Sequence, residues 1–272
     1  MNANFIYAIL ITTVMAFVSC SNAKEPKNTK TGEINYIPVP DPTTSTHSSP
    51  EASDGKTGLE EEDVLTLISD PKFKAYAKKR LTEKQMYLGT DPIEGKWDTD
   101  GNGKLSRAEA AAAKAIHLYA MNVKSLSGLE FFTGLEYLCF SKNRDVTEVD
   151  VTHNTKLQRL IFAECQISEV DITENTELVF LEINNNKLRK LDILKNTKLR
   201  ALWCNDNLLR TLDASTMDMK SDRPFKLYCG RQKAEDGTKQ VLALTLSHDM
   251  KELWENMLED KGENTNVNVK YK

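Results

Sequence analysis

Apolar positions between residues 135 and 229 recur with one period. Units open at Leu135, Leu157, Leu178 and Leu199, spaced 22, 21 and 21 residues apart. Each unit is apolar at its first, fourth and sixth places and carries Asn or Cys at the ninth: Leu135/Leu138/Phe140/Asn143, Leu157/Leu160/Phe162/Cys165, Leu178/Leu181/Ile183/Asn186 and Leu199/Leu202/Cys204/Asn207. The second half of each unit repeats as well, as Val149-Asp150-Val151, Val170-Asp171-Ile172, Leu191-Asp192-Ile193 and Leu212-Asp213-Ala214; Asn154-Thr155, Asn175-Thr176 and Asn196-Thr197 then close the first three units. A unit this short cannot bury its leucines alone, so the pattern predicts one short strand per unit, stacked in parallel on its neighbours. A fifth, degenerate strand is expected at 225–229. Outside the repeats, Val64, Leu65, Ile68, Phe73, Tyr76, Ala77 and Leu81 follow a helical period, with Asp70-Pro71 as a cap and first-turn proline between two helices. Residues 240–247 and 267–271 alternate as strands around an amphipathic helix at 248–258, which predicts a hairpin-like terminal cap crossed by a helix.

The repeats resemble the leucine-rich-repeat family, specifically the short internalin-like repeats of Gram-negative bacterial surface lipoproteins. That resemblance implies an α/β repeat fold, a short right-handed solenoid with parallel strands on its concave face. A helical cap precedes it and an α+β cap follows. The expected division is a signal peptide at 1–19, a disordered tether at 20–60, the amino-terminal cap at 61–125, the repeats at 126–232 and the carboxyl-terminal cap at 233–272. At the ninth place an inward amide satisfies backbone groups that the strand leaves unpaired. Cys165 substitutes there for Asn. Cys204 and Cys229, at the sixth place, act as small buried hydrophobes, and Cys139, at the fifth, faces outward. A disulfide between directly opposed residues of paired strands would be strained, so free thiols are expected. The Asp150, Asp171, Asp192 and Asp213 column is read as a turn-capping ladder on the convex side.

The amino-terminal segment is a targeting signal. Phe5 to Val18 is uncharged and apolar, too short to span a bilayer comfortably, and ends in Ser19-Cys20. This resembles the lipobox of bacterial lipoproteins, which implies cleavage before Cys20, acylation of Cys20 and anchoring to an outer membrane. The cell surface and the periplasmic face both remain open. The stretch 21–60 is rich in Ser, Thr, Pro, Lys and Gly and is expected to be a flexible tether.

Asp98-Thr99-Asp100-Gly101-Asn102-Gly103-Lys104-Leu105-Ser106-Arg107-Ala108-Glu109 is the sharpest local motif. It resembles an EF-hand calcium loop, in which hard oxygens on a flexible turn surround the ion. The resemblance implies that Asp98, Asp100 and Asn102 contribute side-chain oxygens, Lys104 its carbonyl, Ser106 a water-mediated contact and Glu109 both carboxylate oxygens. The alanine-rich stretch 107–119 is the expected exiting helix. Thr82 to Lys96, with Gly89, Pro92 and Gly95, interrupts the path from the preceding helix. A single loop points to one structural Ca2+ that braces the cap.

Composition narrows the function. Net charge is −4 with a pI near 5.7, so no basic footprint for nucleic acid exists. The four histidines, His47, His117, His153 and His248, lack zinc or triad spacing, and no phosphate-binding loop is intact. The reading is a non-enzymatic, monomeric recognition module whose concave face takes a protein or glycan. Tyr137, Arg159, Ile161, Phe180, Glu182 and Trp203 are its candidate contacts, since exposed aromatics and Arg anchor interfaces. Some of these side chains could instead pack on the caps, and the alternative function is a scaffolding lipoprotein whose repeats act as a spacer.

Overall fold

The computed structural model describes residues 62–84, 95–218, 225–257 and 264–272. The expected signal peptide (1–19), Cys20 and the expected tether (20–60) lie outside the described residues. Among the described residues no helix is long and apolar enough to cross a membrane.

Six short strands form one parallel sheet: β1 (Ala115–His117), β2 (Tyr137–Cys139), β3 (Arg159–Ile161), β4 (Phe180–Glu182), β5 (Ala201–Trp203) and β7 (Lys226–Tyr228). Their register aligns Ile116, Leu138, Leu160, Leu181, Leu202 and Leu227 in one column, all at 0% exposure. Burying each leucine contributes about 1.5–3 kcal/mol, and only stacking makes that burial available. Behind this column the rings of Phe140 and Phe162 stack at 5.2 Å and 7°. Further along the same inward column Cys204 and Cys229 are fully buried. All four described cysteines are free thiols.

Two amide ladders satisfy the turns. At the ninth place Asn143 Nδ2 donates to Leu118 O and Phe140 O, while its Oδ1 accepts from Val123 N at 2.9 Å. Asn186, Asn207 and Gln232 repeat this arrangement. Cys165 keeps only weak sulfur contacts, from Sγ to Phe140 O at 3.6 Å and to Ala163 O at 3.8 Å. The second ladder is Asn154, Asn175 and Asn196. Each is wholly buried and donates to two carbonyls of the preceding coil, as Asn175 Nδ2 does to Val151 O and Asn154 O, both at 2.9 Å. Before each ninth place the chain turns through a left-handed residue: Lys142, Glu164, Asn185, Asp206 and Arg231, with φ between 54° and 60°. The aspartate column caps turns as expected, with Asp150 accepting from Thr152, Asp171 from Thr173, Asp192 from Leu194 and Asp213 from Ser215.

The amino-terminal end is closed by α1 (Val64–Leu67), α2 (Pro71–Arg80), Trp97 and α3 (Arg107–Ala112). Val64, Ile68 and Phe73 are fully buried, and Phe132 receives both Phe73 (5.9 Å) and Trp97 (5.2 Å). Here the structure corrects the sequence reading. The exiting helix stops at Ala112, and Ala115–His117 forms β1 instead. Ala113, Ile116 and Leu118 occupy the first, fourth and sixth places of another coil, 22 residues before Leu135. Pairing with β2 outweighs the helix preference of alanine.

The carboxyl-terminal end holds a second correction. β8 (Leu242–Leu246) and β9 (Val267–Tyr271) pair in parallel and do not form a hairpin. They join β6 (Thr211–Asp213) in a three-stranded sheet of order β6-β8-β9. The segment containing α4 (Lys251–Met257) carries the chain back, and a long crossover of that kind permits parallel pairing.

Candidate functional site

The acidic loop sits between Trp97 and α3. Gly101 and Gly103 adopt φ of +79° and +77°, which an L side chain rarely does. Those turns aim the Gly101 and Gly103 N–H groups at the Asp98 carboxylate, at 2.6 and 3.0 Å. Asn102 Oδ1 accepts from Lys104 N at 2.7 Å. Ser106 caps α3 in a reciprocal capping box with Glu109. Burial works to raise the Glu109 pKa, but hydrogen bonds from Thr99 and Ser106 outweigh it and hold the carboxyl below its ordinary range. Carboxylate oxygens of Asp98, Asp100 and Glu109 lie within 4.8 Å of one another. That donor set fits a hard, oxygen-ligated cation. Lys104 is exposed, which suits a residue expected to offer only its carbonyl.

No described helix leads directly into Asp98; Trp97 N donates instead to Arg80 O at the end of α2. The loop is tied to the cap at Leu105, whose N–H donates to Asp63 Oδ1 (3.1 Å) and whose carbonyl accepts from Val64 N (2.8 Å). Arg107 lies 4.5 Å over the Phe131 ring and pairs with Glu62. The loop and the first coil are thus joined through the same short helix.

The second candidate is the face of the six-stranded sheet turned away from the leucine column. Its two halves differ. Toward β1, Ala115, Tyr137, Cys139 and Ala163 form a closed apolar cluster with Tyr119 and Ile161 packed against it. Tyr137 is 9% exposed and Cys139 1%, so neither presents the open surface expected of it. Ala115, the register partner of Tyr137, and Ala163 are the small members of this cluster. His117 stacks on Tyr137 at 6.1 Å and 8°, with Nδ1 3.3 Å from the phenol oxygen, and burial lowers its pKa. His117 therefore belongs to this strand cluster and not to a helix.

Toward β7 the face is open. Phe180, Trp203 and Tyr228 are half-buried and run across three strands, with centroids 5.4 Å and 5.8 Å apart. Arg159 and Ile161 border them, also half-buried. Glu182 stands opposite Trp203 in the register and is 0% exposed, a correction to its expected place among the exposed contacts. Asn184 and Asn205 line the next column, both nearly covered. Tyr228 is the member of this aromatic run that the sequence reading did not include. The signal was present, since Tyr228 precedes the inward Cys229 as Trp203 precedes Cys204.

The sequence matches no protein-family model and no curated protein. Similar backbones occur among Listeria monocytogenes proteins. The functional domain of InlJ, described as including a cysteine ladder, shares 21% identity at a TM-score of 0.49, over 69% of this chain and 38% of that one. The internalin inlF shares 15% at 0.39, over 71% and 60%, and the internalin C2 (inlC2) 12% at 0.33, over 78% and 99%. This chain thus spans less than two thirds of the first two. The strand register itself fixes the architecture. The chain is a parallel β-solenoid. In this solenoid, the described His, Cys, Asp and Glu side chains gather into one metal-sized group, Asp98, Asp100 and Glu109.

Proposed function

We propose that this solenoid is a non-enzymatic recognition module that binds a protein or glycan on the open half of its strand face. The observation that carries this reading is the half-buried Phe180–Trp203–Tyr228 run. Aromatic rings held on a hydrogen-bonded sheet offer apolar area at little further cost in conformational entropy, which favours affinity. Arg159 on the adjoining strand adds a charged donor at the border of the run. In this reading one Ca2+ held by Asp98, Asp100, Asn102, Glu109 and the Lys104 carbonyl, with Ser106 beside it, braces the amino-terminal cap. It supplies only positive charge to a loop rich in carboxylates. A lipid on Cys20 holds the module at a bacterial outer membrane; the lipobox-like residues before Cys20 support that part.

The closed half of the face, with Cys139 and Ala163 covered, supports a second reading in which those coils serve as a spacer. One experiment separates the two. Partners are captured from protein and polysaccharide arrays with the wild-type chain, with the Phe180→Ala/Trp203→Ala double variant, and with Leu194→Ala, an exposed residue of the Asp192 turn. Loss of capture of at least about tenfold in the double variant alone is the expected result. Equal capture by all three chains leaves the spacer reading standing.

A further inference from the structure

The two ends of the hydrophobic spine are finished differently. At the amino-terminal end Val64, Ile68, Phe73 and Trp97 are buried beneath helices. At the other end lies β9, the edge of its sheet. Leu242 N donates to Asn266 O, and Lys272 N to Leu246 O. In a parallel ladder this parity turns the backbone groups of Asn268 and Lys270 toward β8 and those of Val267, Val269 and Tyr271 outward. Among the described residues no strand pairs with that outer edge. The side chains of Val267, Val269 and Tyr271 lie in register with the fully buried Leu242, Leu244 and Leu246, yet are themselves only half-covered. An edge strand with an apolar flank is a template for another strand.

We infer that β9 pairs antiparallel with β9 of a second copy of this chain, about a two-fold axis at Val269. The sequence Val267-Asn268-Val269-Lys270-Tyr271 is self-complementary in that register. Val269 faces the second copy's Val269, and Val267 faces the second copy's Tyr271. All three outward residues then exchange hydrogen bonds with their opposites, as a two-fold interface requires. On the other face Asn268 meets the second copy's Lys270, so no like charges oppose each other. A slip by one residue would set apolar side chains against polar ones and lose this match. The pairing extends the Leu242–Leu244–Leu246 surface into one apolar layer shared by both copies. It does not depend on what the strand face binds.

The test uses the full chain carrying Cys20→Ser, so that no acyl group drives association. Sedimentation equilibrium over a concentration series is expected to show reversible dimers. Val269→Pro removes an outward N–H that β8 does not use, so the dimer is lost while the chain keeps the far-UV circular dichroism of its folded form. Val269→Lys, which sets like charges across the axis, gives the same loss should the proline disturb folding. Register is tested by mixing Asn268→Cys with Lys270→Cys chains under mild oxidation. Directly opposed residues of this kind lie about 4.5 Å apart at Cα, within disulfide reach. Crosslinks form in the mixture and in neither variant alone. A chain that stays monomeric throughout, a dimer that survives both Val269 substitutions, or Asn268→Cys crosslinking to itself would each overturn the proposal.

Discussion

The carboxylate of Asp70 accepts the backbone N–H of Lys124 at 2.8 Å, across 54 residues of chain. Its other oxygen caps α2 through Lys72 and Phe73, so one buried side chain serves both the helix start and the loop leading into the second coil. Burial works to raise the Asp70 pKa, but the N–H groups of Lys124, Phe73, Lys72 and Ser125 outweigh it and hold the carboxyl below its ordinary value. Asp70→Ala is expected to cost about 2 kcal/mol, the sum of a lost cap and unpaired buried donors. The sign with pH follows from linkage. A depressed folded pKa gives stability that is complete above the unfolded value and is lost as pH falls through the folded one. Urea melts of wild type and Asp70→Ala should therefore converge as pH drops below about 4, the ordinary aspartate range. A gap that persists unchanged in acid would show that the charge has no part in the contact.

Asn175 should matter more than its surface neighbours. Asn175→Ala removes two buried hydrogen bonds, to Val151 O and Asn154 O, each of which keeps one backbone donor (Asn154 N and Leu157 N), and is expected to cost about 1–3 kcal/mol. Thr176→Ala, one residue along and exposed, should stay within about 0.5 kcal/mol. Denaturant midpoints at equal m-value check both.

Gly134 tests the joint between cap and coils. A Cβ there would meet Ala111 O at 2.1 Å, a backbone atom with no rotamer by which to retreat. Gly134→Ala is expected to destabilise by about 3 kcal/mol or to shift α3 from the coil. Gly95→Ala, with nothing within 4 Å of its Cβ, should melt like wild type.

Calcium is expected to raise the melting temperature of wild type and leave Glu109→Gln unmoved. At roughly a hundredfold excess over Kd the stabilisation should be about 2.7 kcal/mol. Isothermal titration on both chains gives the direct readout, and equal heats would remove the site.

The thiols provide a test of burial. Desolvation pushes Cys165 up to about 12 and raises Cys204 and Cys229. Since the thiolate is the reactive form, a disulfide reagent should find Cys139, Cys165, Cys204 and Cys229 only after denaturation. Rapid labelling of the folded chain at any of them would contradict the packing.

The residues themselves determined the stack. A period near 21 that places Leu138, Leu160, Leu181 and Leu202 alike permits no other shared burial, and inward Asn at the ninth place follows from unpaired turn carbonyls. The spacing of oxygens from Asp98 to Glu109 was legible for the same reason, because it is a local chain property. Three features waited for the tertiary structure. Ala115–His117 reads locally as helix and becomes strand only because β2 offers it a ladder. Whether Tyr137, Cys139 and Glu182 face solvent depends on what lies across neighbouring coils, and the small Ala115 and Ala163 let that half close while Phe180, Trp203 and Tyr228 stay open. The direction of β9 against β8 is equally invisible in their alternation, since strand polarity is set by the path of the crossover between them. Periodicity fixes which side of an element is buried; contacts between residues far apart in the chain fix what covers the other side.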